Sequence, residues 1–219
     1  MLELLAARFR AVAWVMDRWQ AMVNLVLFLV LGEFAIRIGY QEWQAGRFDI
    51  VQVLASGKNL IGLVVILARM PHREIEMGYL PQFVALFAFF SGESLIKAPG
   101  VATIPQLYPV GKALLCLGIV VVALALLSIN TSFGILIARR EVRTGGLFRF
   151  VRHPMYAGEL LKRAGVLLMN ACWQNVVAIV VSSVFYILRA VCEERFLERD
   201  DEYREYRQRV RYWFCPGLF

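Results

Sequence analysis

Six apolar runs recur along the chain, at about residues 20 to 38, 50 to 69, 79 to 96, 110 to 129, 155 to 170 and 174 to 191, with polar connections between them. Each approaches the ~20 residues that an α-helix needs to cross a hydrocarbon core. The pattern predicts an all-α fold, a polytopic transmembrane helical bundle with about six spans and both termini on one side. Only the residues around Met169 to Gln174 separate the last two runs, which predicts a tight antiparallel C-terminal helical hairpin. Ahead of the first run, Met1 to Gln20 mixes apolar positions with Arg8, Arg10 and Arg18, without a compact hydrophobic stretch or a small-residue cleavage site. It reads as an amphipathic interfacial helix retained in the mature protein.

Composition narrows the class. The 219 residues are 59% hydrophobic and 19% charged, with a mean hydropathy of +0.59, a balance foreign to a soluble domain of this length. The net charge of +7 would suit a nucleic-acid partner in a soluble protein, but its distribution gives another account. Arg8, Arg10 and Arg18, then Arg69 and Arg73, then Arg139, Arg140, Arg143, Arg149 and Arg152, and finally six arginines from Arg195 to Arg211 all flank the same side. The opposite connections carry chiefly Arg47 and Lys97. The positive-inside rule therefore puts both termini in the cytoplasm and removes the need for nucleic acid. A bacterial inner membrane, with the site facing the cytoplasm, is the expected location. Cys116, Cys172, Cys192 and Cys215 lack metal-ligand spacing and read as small buried hydrophobes, and two histidines are too few for a His-rich metal or haem site. No metal is expected.

Ionisable residues at membrane depth are costly and mark candidate sites. Here they are Glu33, Arg37, Lys58, Glu93, Glu159, Lys162, Arg163 and Arg189. Glu33 and Arg37, one turn apart, are expected to neutralise each other, and Lys162 and Arg163 to snorkel to the far interface.

Two segments carry chemistry. From Ser132 to Leu161 the chain reads SFGILIARREVRTGGLFRFVRHPMYAGELL. Thr144, Gly145 and Gly146 break the helix, and Pro154 holds His153 extended while starting a new helix behind it. Arg152 and His153 thus sit ahead of a helix N-terminus, whose unpaired N–H groups and flanking arginines suit a carboxylate or phosphate. Gly158, one turn in, permits a close approach by a helix or ligand. From Ile187 to Phe219, Arg189 and Glu193 share a helical face, Glu194 lies beside Glu193, and Tyr203 and Tyr206 follow. A cation and a carboxylate there can hold a zwitterion, or can form a routine intrahelical pair. The Arg- and aromatic-rich tail is expected to lie on the bilayer surface and close the pocket from below.

These segments resemble the isoprenylcysteine carboxyl methyltransferase family, whose wider relatives include phospholipid N-methyltransferases. The resemblance covers Ser132 to Phe219 and rests on TGGLFRFVRHPMYAG, Thr144 to Gly158, and on the Glu193–Glu194 pair followed by Glu202-Tyr203, Tyr206 and Val210. It implies methyl transfer from S-adenosylmethionine to a lipophilic acceptor entering from the bilayer. It assigns the cofactor to Arg140, Glu141, Val142, Arg143, Phe148, Arg152, His153, Pro154, Met155, Tyr156 and Glu193, with Glu193 on the amino group, and matches Arg189 to the arginine facing the acceptor carboxylate. Phe148 stands where the family usually has tyrosine, and Arg140 where it has histidine.

Residues 132–219 are then the cofactor-binding catalytic region, and residues 1–131 the N-terminal transmembrane helices on the acceptor side. A carboxylate acceptor needs no general base, only orientation by Arg189. An amine or phenol needs one, with Glu194, Glu159 and Tyr203 as candidates, so Arg189 and Glu194 are the expected catalytic pair. Carboxyl O-methylation of an isoprenylcysteine-like or other lipid-like acid leads. Behind it stand a phospholipid or amine N-methyltransferase, an NADPH-dependent sterol-type reductase, and a transporter or assembly factor.

Overall fold

The computed structural model describes residues 10–46, 49–94 and 105–217, and for residues 10–20 and 92–94 the backbone alone. Six helices occupy the six apolar runs: α1 (Arg10–Gln44), α2 (Ile50–Ala68), α3 (Tyr79–Ser94), α4 (Tyr108–Ile129), α5 (Pro154–Met169) and α6 (Trp173–Leu197). A short α7 (Asp201–Arg209) follows, capped by the Asp200 carboxylate, which accepts from the Glu202 N–H at 3.1 Å. Four stretches are long and apolar enough to cross a membrane, namely Ala21–Gln44, Ile50–Ala68, Pro105–Ser132 and Trp173–Leu197. α3 and α5 have 16 residues each, about 24 Å at 1.5 Å per residue, against a hydrocarbon core of about 30 Å. The chain is a multi-pass helical membrane protein in which the two short helices lean on the long ones.

From Arg10 onward the expected interfacial helix is not a separate element. The backbone stays helical from Arg10 to Gln44, with no proline to break it; Met1 to Phe9 lie outside the described residues, as does Lys97. Asp49 caps α2, accepting from the Val51 N–H at 2.9 Å, and pairs with Lys112 of α4 at 2.7 Å. At the other end of α2 the Arg69 guanidinium donates to Asn24 Oδ1 of α1 at 2.6 and 3.1 Å.

One small sheet departs from an all-α fold. β1 (Glu74–Ile75) pairs antiparallel with β2 (Ala138–Arg139), Glu74 opposite Arg139. Gln82 of α3 braces it, its amide donating to Glu76 O at 2.7 Å and Ile137 O at 2.9 Å and accepting from the Ile137 N–H at 3.0 Å. Two-residue strands leave no alternating pattern for a sequence to reveal.

The expected hairpin forms, residues 170–172 joining α5 tightly to α6, although α5 packs more extensively on α4. Gly111 and Gly118 on α4, seven residues apart, face Gly165 and Gly158 on α5. A Cβ at Gly111 would sit 2.6 Å from Gly165 O, and one at Gly118 2.7 Å from Gly158 O. Without side chains between them the two backbones touch, the arrangement that membrane helices use in place of a hydrophobic driving force.

Lys162 and Arg163 do not snorkel. Both are buried around Glu159, with Lys162 Nζ 3.1 Å from Oε1 and Arg163 Nη1 3.1 Å from Oε2. Arg163 also donates to Ser182 Oγ of α6 at 2.9 Å and lies 4.3 Å from the Tyr186 ring centre. A carboxylate one turn away and an aromatic face compensate the charges in place, so no excursion to water is needed. Glu33 and Arg37 pair as expected, Arg37 Nε donating at 2.9 Å. Cys116, Cys172 and Cys192 are half-buried and Cys215 is exposed, so the expectation of buried thiols fails.

The glycine contact makes a sharp stability forecast. Gly165→Ala, whose Cβ would lie 2.6 Å from Gly111 O, should destabilise the detergent-solubilised protein by about 1–3 kcal/mol as overpacking. Gly57→Ala, with nothing within 4 Å of its Cβ, should leave the thermal midpoint unchanged or raise it.

Candidate active site

Past α4 the chain turns at Asn130, which takes a positive φ of 49°, a conformation asparagine tolerates better than most. Residues 132–143 then fold back under the helix ends. Arg143 clamps this return, donating to Ser132 Oγ and Thr131 Oγ1, both at 3.2 Å, and pairing with Glu141 at 2.9 Å. Gly146 has φ +58° and lies against Ser128 so closely that no side chain fits. From it a single 3-10 turn, Gly146–Arg149, buries Phe148.

The centre of the region is one carboxylate oxygen. Glu194 Oε1, near the end of α6, accepts from Arg152 Nε at 2.9 Å and the Tyr203 hydroxyl of α7 at 2.7 Å, with His153 Nε2 at 2.9 Å. A carboxylate only accepts, so His153 presents Nε2–H to it. Arg152 then ties in the tail, donating through Nη1 to Val210 O (2.8 Å) and Arg211 O (2.9 Å). The Arg152 and His153 N–H groups donate to Tyr212 O and Trp213 O, each at 2.9 Å. The tail therefore straps across the His-Pro step, and the Tyr206 hydroxyl closes the ring on Phe148 O at 2.7 Å. The strap also engages the amides expected to meet an anion. α5 has its first bond at the Ala157 N–H to His153 O, so only the first-turn amides of Met155 and Tyr156 stay orphaned.

A cavity of about 140 Å³ opens above this assembly, lined by Arg140, Glu141, Val142, Arg143, Phe148, Arg152, His153, Pro154, Met155, Tyr156 and Glu193, with Tyr203 and Tyr206 beneath. Every residue that the family resemblance assigned to the cofactor is in this wall. Burial, then the nearby Arg69 charge, lowers the Arg140 pKa to about 10. Burial first, then the Glu194 carboxylate, pushes the Tyr203 phenol well above its usual value. Tyr203 is thus a fixed donor and not a base.

Arg189 lines a second, larger cavity of about 540 Å³ among the membrane helices, with Phe34, Leu63 and Phe90 on its apolar side and Lys58, Glu159 and Lys162 on its polar side. Its guanidinium donates to Glu193 Oε1 (3.0 Å), Ala85 O (3.0 Å), Gly134 O (3.1 Å) and Ile135 O (2.9 Å). The Tyr156 hydroxyl donates to the same Glu193 oxygen at 2.6 Å. Arg189, Glu193 and Tyr156 therefore form one bonded group where the two cavities meet.

Glu194 lines neither cavity. Its expected part as a general base gives way to a structural one, because its Oε1 already takes three donors. Sequence reasoning missed Phe133, Gly134 and Leu136, which complete the smaller cavity. Their signal was an apolar stretch, SFGILIA, that continues past the end of a span without continuing the helix. A side chain at Gly134 would run into the Arg140 guanidinium.

Residues 107–203 match the phospholipid methyltransferase family model. The match takes in α4, the Thr144–Gly158 segment, α5 and α6, and ends on Tyr203. A solved eukaryotic intramembrane Ras methyltransferase, isoprenylcysteine carboxyl methyltransferase, aligns over 93% of this chain and 93% of that chain, at 16% identity and a TM-score of 0.44. No curated protein matches. Among the described residues no cluster of three or more His, Cys, Asp or Glu side chains is placed to hold a metal ion.

Removing the Glu194 carboxylate strands buried Arg152 and His153 together. Glu194→Ala should cost about 3–5 kcal/mol, whereas Tyr203→Phe, which deletes one donor, should cost about 1–3 kcal/mol. Thermal unfolding in detergent, read by tryptophan fluorescence, checks the order; equal midpoints would refute the hub.

Proposed function

We propose that this chain is an integral-membrane S-adenosylmethionine-dependent methyltransferase whose acceptor is a lipid-like acid reaching the site through the bilayer. The observation that carries the reading is the meeting of a small cavity, lined by Arg140, Glu193 and the start of α5, with a larger one among the membrane helices at the Arg189–Glu193–Tyr156 group. The phospholipid methyltransferase match over residues 107–203 supports it.

The donor set fits the cofactor. Glu193 offers a carboxylate for an ammonium, Arg140 and the orphaned first-turn amides of Met155 and Tyr156 offer positive groups for a carboxylate, and Val142, Phe148 and Pro154 supply apolar walls. When bound, S-adenosylmethionine supplies a sulfonium-borne methyl: an acceptor oxygen lone pair forms the new O–C bond as the C–S pair leaves with sulfur as a neutral thioether. The protein's part is positioning and exclusion of water. Arg152, His153 and the tail hold the cavity floor, and Glu193 is fixed by two donors on Oε1.

The acceptor class follows from the bases. Glu194 lies outside both cavities, Tyr203 is held protonated, and Glu159 is bound by two cations. The carboxylates at the junction, Glu159 and Glu193, are both paired to cationic side chains, so an acceptor that arrives already ionised is favoured, with Arg189 held rigid by four hydrogen bonds to steer it. A carboxylate meets that requirement. The second reading is N-methylation of a phospholipid amine, favoured by the family named in the match; it requires Glu159, on the wall of the membrane cavity, to release a cation. Residues 1–131 contribute most of the acceptor side and 132–219 the cofactor side. The arginine distribution supports a cytoplasmic cofactor face.

Calorimetry with S-adenosylmethionine tests the reading: the purified protein should bind it, and binding of NADPH in its place would overturn the methyltransferase in favour of a reductase. Glu193→Gln, which keeps an oxygen to accept from Arg189 and Tyr156 but removes the charge, should weaken cofactor binding at least tenfold with a normal folded yield. Arg189→Lys should lower kcat/KM for a long-chain fatty acid by about 10²-fold, as a loss of geometry does, while turnover of an amine acceptor with no acid activity would move the assignment to N-methylation.

A further inference from the structure

We infer that Met155 determines which acceptors the enzyme takes, as the adjustable part of the wall between the two cavities; the inference rests on the methyl-transfer reading above. Three side chains, Phe133, Met155 and Tyr156, line both cavities, so a methyl group passing from one to the other crosses at them. Two of the three are fixed. Phe133 is 5% exposed and set in an apolar cluster with Leu126 and Ile135. Tyr156 is anchored by its hydroxyl to Glu193 at 2.6 Å and lies nearly parallel to the His153 ring, with centres 5.4 Å apart.

Met155 differs. It is half-buried, packs at the margin of two separate apolar clusters, and carries an unbranched thioether chain that adapts to its surroundings. An acceptor whose apolar tail fills the membrane cavity must bring its head past this side chain. A slim head, such as a carboxylate on an unbranched carbon, passes; a head branched next to the carboxylate meets the Met155 methylthio end. The class selected is therefore straight-chain amphiphilic acids over α-branched ones, which ranks an unbranched lipid-like acid above an isoprenylcysteine-like one, branched at its α carbon.

Two measurements test this. In a Met155→Cys variant, modification of residue 155 by a membrane-permeant maleimide, read by mass spectrometry of the peptide, should slow at least fivefold with S-adenosylhomocysteine and, separately, with oleate. Protection by one ligand alone, or by neither, overturns the shared wall. Failure of the wild-type protein to bind S-adenosylhomocysteine by calorimetry instead overturns the methyl-transfer reading beneath it. In turnover, Met155→Ala should raise the kcat/KM ratio of 2-methylpalmitate to palmitate at least tenfold, with a larger change in KM for acceptor than for cofactor. The volume-conserving Met155→Leu should restore the wild-type ratio. An unchanged ratio in Met155→Ala sinks the inference.

Discussion

A single oxygen atom holds the cytoplasmic end of this protein together. Glu194 Oε1 receives a guanidinium, an imidazole and a phenol from two separate pieces of chain, the adjacent Arg152 and His153 ahead of α5 and Tyr203 of α7. Because those groups are buried, none has water as a substitute partner, and the geometry of each depends on the others. Phe148, Tyr206 and the tail carbonyls are positioned one bond further out. The cavity that these residues line is thus a by-product of satisfying one buried charge.

The membrane half obeys a different rule. Where α4 and α5 meet, four glycines bring backbone to backbone, and shape does the work that charge does below. α5 belongs to both regimes. Its first turn supplies Met155 and Tyr156 to the cavities, its glycine face fixes its height on α4, Glu159 and Lys162 line the membrane cavity, and Arg163 reaches α6. A helix of 16 residues that meets three such demands has few positions left for lipid-facing residues, which explains its polarity among apolar neighbours.

Much of this was legible in the sequence, for reasons that differ by residue. The helices announced themselves because bilayer thickness imposes a length on apolar runs. Arg152, His153 and Tyr156 stood out because glycine and proline bracket them, and backbone breaks of that kind leave a written trace. Arg163 was misread because part of its compensation comes from Ser182 and Tyr186, about twenty positions away on another helix, while Lys162 had its carboxylate, Glu159, one turn away in plain view. The two glutamates in succession were indistinguishable in composition, yet a 100° step around α6 turns Glu193 to the cavities and Glu194 to the core. The segment Phe133 to Leu136 was hidden because burial without regular structure has no period.

The strap has a consequence for how the protein is made. Residues 210–213 supply the carbonyls that seat Arg152 and His153, and they are synthesised after every membrane helix described here. During translation, insertion of the bundle thus comes first, with the Arg-His-Pro segment lacking its partners until the last stretch emerges. A chain cut short after α6 would leave the buried Arg152 and His153 without the carbonyls that seat them.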